Sequence, residues 1–144
     1  MTPQVRRLFG LFLWALFLAC GDPAEGPAPI AFGRTACDHC QMVISDARHA
    51  AQIRLGGQVY RFDDPGCAFA WLEARPDDAA AATELWVTDE DGLEWLDARS
   101  AFYRPGRRTP MAYGFGAIAS PEEGAIDYEA FRTALRARER PVAP

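Results

Sequence analysis

The chain has 144 residues, of which 20 are acidic and 15 basic, for a net charge of −5, and 49% are hydrophobic. That length and apolar share build one compact unit or two very small ones. Arginine is the only basic side chain apart from two histidines, and the acidic balance argues against a polyanion-binding surface and so against nucleic acid as a partner.

Arg6 and Arg7 precede an apolar run from Leu8 to Ala19, and Cys20 follows. A charged start, a short apolar core and a small-residue cleavage site describe an export signal rather than a fold element. The run is shorter than a bilayer-spanning helix requires. Its end, LFLAC, resembles the lipoprotein box, which implies cleavage before Cys20 and acylation of Cys20. An ordinary secretory signal cleaved nearby is the alternative. Two or more acyl chains anchor a protein stably where one does not. Without the leader's two arginines, 13 basic residues face 20 acidic ones, 13 minus 20 giving −7. The stretch GDPAEGPAPIA, Gly21 to Ala31, has no periodic apolar pattern and is expected to be a semi-extended tether. Its reach would be at most roughly 35 Å. The expected layout is a leader over 1–19, a lipidated cysteine and tether over 20–31, a domain over 32–138 and a loose tail over 139–144.

Within the domain, Ala50 to Leu55 alternates Gln52 and Arg54 against Ile53 and Leu55, as a half-buried strand does. Gly56-Gly57 then signals a tight hairpin into the strand-like QVYRFD, Gln58 to Asp63. Asp64-Pro65 marks a helix start, with Asp64 as cap. The following GCAFAWLEA, Gly66 to Ala74, is apolar nearly all round, so that helix is expected to be buried. ARPDDAA ends it, and Leu85 to Asp89 is a strand. EWLDARSAFYR fits a strand or a short helix. MAYGFGAIA is strand-like but broken by glycines. DYEAFRTALRARE is a helix with Asp127 as its cap and Tyr128, Phe131, Ala134 and Leu135 on one stripe. The class is α+β.

The residues richest in chemistry are CDHCQM, Cys37 to Met42. Cysteine and methionine sulfur selects Cu(I) over hard cations. Beyond Met1 the chain has only two methionines, Met42 and Met111, and one of them stands two positions after a cysteine pair. If the chain leaves the turn extended, Cys40, Met42 and Ile44 share a face; in a helix Met42 would leave the group. His39 can add an imidazole or point to solvent. The competing readings are a Cys37–Cys40 disulfide, a thiol–disulfide redox pair, and a structural zinc site completed by Cys67 and a histidine. The redox pair is disfavoured because the motif precedes the first strand instead of opening a helix after one. Cys67 falls at the third position of a helix, where amide donors and the macrodipole lower a thiol's pKa; a small buried core cysteine is the alternative. Met111, in RRTPMAYGFGA, reads on composition alone as a core filler.

In order, the leader, CDHCQMVI, QVYRFDDPGCAFAWL, WLDARSAFY and TPMAYGFGAIA resemble the NosL family, lipid-anchored copper-binding accessory proteins of nitrous-oxide reductase maturation. The resemblance spans roughly Phe32 to Leu135. It implies two small ββαβ modules, over about 32–90 and 91–138, Cu(I) binding without catalysis, and delivery of copper in the periplasm. The implied partners are a copper-enzyme client, nitrous-oxide reductase or a relative, and its maturation machinery. By position Cys37, Cys40 and Met42 match the family's C-x-x-C-x-M element and Met111 its T-P-M element, so the implied metal ligands are Cys37, Cys40, Met42 and Met111, with His39 and Cys67 in reserve. Two positions depart from the pattern: Gln41 stands where the family usually has glycine, and Tyr113 where some members carry a histidine. The alternative function is a periplasmic thiol–disulfide protein using Cys37 and Cys40.

Overall fold

The computed structural model describes residues 22–139; the leader, Cys20 and the tail beyond residue 139 lie outside the described residues. Strands β1 (Ala51–Leu55) and β2 (Gln58–Phe62) form the hairpin that Gly56-Gly57 signals. Both glycines have positive φ, 55° and 83°, the pair of left-handed residues that a two-residue turn of matching twist demands. β1 also pairs with β3 (Ala82–Thr88), and β3 with β4 (Trp95–Asp97), giving an antiparallel sheet in the order β2-β1-β3-β4. A second antiparallel sheet joins β5 (Phe102–Pro105) and β6 (Phe115–Ile118). The two sheets meet where Asp89 bridges Ala117 and the Glu90 N–H donates to the Ala117 carbonyl at 2.8 Å.

Helix α1 (Pro65–Glu73) starts as the sequence indicates: Asp64 is extended and its side chain accepts from the Gly66 N–H. Every residue from Pro65 to Leu72 is buried, because the helix is covered by the first sheet on one side and by β6 and α3 (Tyr128–Glu139) on the other. Asp127 accepts from the Ala130 N–H and caps α3. Phe131 of α3 stacks on Tyr103 at 3.9 Å and meets Phe115 and Phe69 edge-on. One apolar cluster thus joins β1, β3, β5, β6, α1 and α3. The architecture is α+β, as expected.

Several local expectations change. Pro76 with Asp77 and Asp78 starts a short helix α2 (Pro76–Ala81), proline at the first position and acids in the first turn being good helix starters. β3 begins at Ala82 instead of Leu85. EWLDARSAFYR becomes two strands, β4 and β5, separated by a turn. Only Phe115–Ile118 of the glycine-punctuated run is strand. In place of a last strand, Ile126 bridges Tyr103 on the edge of β5. β4 extends the first sheet, so a division between residues 90 and 91 cuts through one sheet and one core.

The largest departure concerns the expected tether. β1 is buried on both faces: Gln52 is 1% exposed and Arg54 5%. Gln52, Arg54, Arg61 and Glu84 project from the sheet face opposite α1, and residues 22–30 lie across that face as a strap. The Gln52 side chain exchanges two hydrogen bonds with the Ala28 backbone, at 2.8 and 2.7 Å. Arg54 donates to the Gly26 carbonyl and pairs with Glu84, which in turn accepts from the Gly26 N–H. Arg61 reaches both the Asp22 carboxylate, at 2.6 Å, and the Pro29 carbonyl. Buried polar groups require partners, and the strap supplies them.

Candidate metal centre

Residues 35–44 fold back on themselves. The Ile44 N–H donates to Thr35, Ala36 bridges Val43, and the Cys37 N–H donates to the Met42 carbonyl at 2.8 Å. The turn closes with the Gln41 N–H on the Cys37 carbonyl, and Gln41 sits at φ 66°. That left-handed conformation favours glycine; here a glutamine holds it. The turn docks on the free edge of β2. The Asp38 N–H donates to the Arg61 carbonyl at 2.8 Å, and the Arg61 N–H donates to the Asp38 carboxylate at 2.7 Å. Cys37 and Cys40 are thereby held beside the point where β2 runs through Asp63 and Asp64 into α1.

Four donors converge there. Ligand atoms of Cys37, Cys40, Asp63 and Cys67 lie within 4.8 Å of one another. Cys37 and Cys67 are fully buried and Cys40 is half-buried; all three are free thiols. The Cys40 thiol lies 3.5 Å from both carboxylate oxygens of Asp63. Asp63 is absent from the sequence-based ligand set, where it ends the strand-like QVYRFD beside the helix cap Asp64. One acid suffices for a cap, and the surplus acid at the end of a strand was the available signal.

The thiols do not share their protons equally. The Cys37 pKa is lowered to about 6, chiefly by the hydrogen bond from Cys67, against the opposing effect of burial, and further by the backbone N–H groups of Cys40, Asp63 and His39. Cys40 is pushed up to about 11 by burial and by the charges of Cys37 and Asp63. Cys67 is raised far above an ordinary thiol, because it donates to Cys37 and is buried beside it and Asp63. Cys67 does occupy the third position of α1, but the lowered pKa expected there from the helix terminus belongs instead to Cys37. A neighbouring thiolate outweighs the partial charge of a helix end.

Asp64, fully buried, links a second segment to this place. One of its oxygens accepts from Gly66 and the other from the Met111 N–H at 3.1 Å, and burial raises its pKa. The Tyr113 side chain lies against Gly66 so closely that a Cβ there would fall 2.0 Å from the ring. The Thr109–Gly114 loop therefore sits on the first turn of α1, the turn that carries Cys67, and Met111 packs half-buried against the core. Met42 is 55% exposed at the open side of the cluster, where its N–H bonds Cys40 and its carbonyl bonds Cys37. His39 is exposed and gives the cluster its backbone N–H. Three thiols and a carboxylate make a soft cation grip; four such donors satisfy tetrahedral zinc, and thiolate sulfur also suits Cu(I).

A family model, NosL, matches residues 29–131. Among solved structures, the crystal structure of the copper chaperone NosL from Shewanella denitrificans has a TM-score of 0.57 and 18% identity, covering 76% of this chain and 86% of that one. At that identity the likeness speaks to the fold. No curated protein matches the chain.

Proposed function

This chain belongs to the NosL family, and from that premise we propose that it is a membrane-anchored periplasmic chaperone that carries Cu(I) to nitrous-oxide reductase or a related copper enzyme. The observation that carries this reading is the convergence of Cys37, Cys40, Cys67 and Asp63 within 4.8 Å, next to the two methionine-bearing segments. Cu(I) is the cargo. Cys37 receives it as a thiolate, Cys40 follows by giving up its proton, and Met42 and Met111 supply thioether sulfur that needs no deprotonation. Asp63 balances the positive charge of the ion, and Cys67 stands behind Cys37 as a further donor. The site binds and releases without converting anything, so the protein is not an enzyme. Export and acylation at Cys20 place it at the membrane.

The test is a titration of the reduced, detergent-solubilised protein with Cu(I) against a competing chelator. About one equivalent should be held, with sulfur in the first shell by X-ray absorption. Cys37→Ser with Cys40→Ser should abolish it. Met42→Leu and Met111→Leu, which keep the volume, should each weaken it, and together weaken it more. Retention in the double serine variant, or preference for zinc over Cu(I) in direct competition, would overturn the assignment.

A further inference from the structure

Among the described residues, the exposed large hydrophobic side chains are Phe32, Met42, Val43 and Leu93. They are not scattered. Gly33 donates to the Ile44 carbonyl, which joins the segment that carries Phe32 to the one that carries Val43. Phe32 and Leu93 line the same groove of about 120 Å³, together with Ala28, Pro29, Ile30 and Trp95. Arg34 is exposed in the same segment as Phe32.

The strap decides where this face is held. Asp22 is pinned by Arg61, and the strap returns to the same arginine at Pro29. Residues 22–29 therefore add nothing to the reach of the domain. Only two peptide units separate Asp22 from Cys20, a span of at most roughly 7 Å. Arg61 is also the residue whose backbone holds Asp38, in the metal-binding turn. The chain that follows Cys20 is thus held, from Asp22 onward, in the neighbourhood of the turn and of Phe32, three residues beyond Pro29.

We propose that the face formed by Phe32, Val43 and Leu93 rests on the lipid surface that receives the acyl chains of Cys20, so that the domain lies on the bilayer. This rests on the reading of Cys20 as the acylated residue. Exposed apolar groups held near an anchor partition into the interface, and Arg34 can keep its charge among the phosphates while its stem lies along apolar surface.

The test uses the full, processed chain reconstituted into phosphatidylethanolamine–phosphatidylglycerol vesicles whose acyl chains carry bromine, a short-range quencher. The mass of the N-terminal peptide reports acylation. Phe32→Trp and, separately, Val43→Trp add a fluorophore on the face. Thr133→Trp adds one on the exposed side of α3, across the sheet from the strap. Emission added at positions 32 and 43, relative to the parent chain, should be blue-shifted in unbrominated vesicles and quenched in brominated ones, and emission added at 133 should show neither change. Full emission at 32 and 43 in an acylated protein overturns the proposal and leaves anchor and cargo standing. Shielding of these positions only after a second protein is added also overturns it, in favour of a protein-docking face. An unmodified Cys20 overturns both anchor and face. Quenching in a protein that fails to hold Cu(I) supports the face and defeats the cargo reading alone.

Discussion

A thiol whose pKa is lowered to about 6 is ionised at neutral pH, so Cys37 meets an incoming ion without first losing a proton. Cys40, pushed up to about 11, must release one. The sign follows for Cu(I) affinity. A site using these two thiols liberates one proton per ion between those values and two below about 6. Affinity should therefore fall about tenfold for each unit of pH lost above 6, and about a hundredfold per unit below it. If Cys67 also ligates, its proton adds a further factor of ten at each step. Competition titrations across pH, corrected for protonation of the chelator, read the slope; a flat profile would show that these thiols are not the ligands. The choice of Cys37 as the ready thiolate was hidden in the sequence, because it depends on a donor thirty residues away in a different element. The cysteine pair itself was plain, being local. Asp63 was obscured by the helix cap beside it.

The element that organises the site is α1. Its first turn carries Cys67, its cap Asp64 holds Met111, and Gly66 makes room for Tyr113. Gly66→Ala would drive a methyl into the Tyr113 ring and lift the Met111 loop off the helix. Overpacking of this kind costs about 1–3 kcal/mol, to be read as a lowered denaturation midpoint. Cu(I) affinity should drop together with stability. If stability falls and affinity does not, the loop and its methionine take no part in binding. The helix was legible because its start is written in adjacent residues, Asp64 and Pro65, and the β1–β2 hairpin because Gly56-Gly57 can take both left-handed positions. β4 was not: three residues, Trp95–Asp97, are too few for a periodic signal, and only pairing with β3 makes them a strand.

For the whole molecule, the consequential difference is between a tether and a strap. A tether can be removed from a domain without harm. Deleting residues 22–30 should instead strip partners from Gln52 and Arg54 and lower stability by about 3 kcal/mol, taking two buried hydrogen bonds and one partly buried one at about 1 kcal/mol each. Denaturant unfolding of the shortened chain measures this, and an unchanged midpoint would restore the tether. Composition gave no hint of the docking, because proline and glycine describe the strap's own lack of periodicity and not the polar row waiting for it on β1. The half-polar face of β1 suggested solvent when it was in fact awaiting a cover. A different consequence comes from the graded burial of the sulfurs: Met42 lies open, Cys40 half-covered, Cys37 and Cys67 sealed. Such a gradient sets an order of events. If Cu(I) is the cargo and Met42 a ligand, an arriving ion exchanges one donor at a time from the surface inward, and a departing one retraces the sequence only when a rival sulfur takes the outermost place. Handover is then associative and gated by the acceptor, and the ion has no interval in which it drifts free.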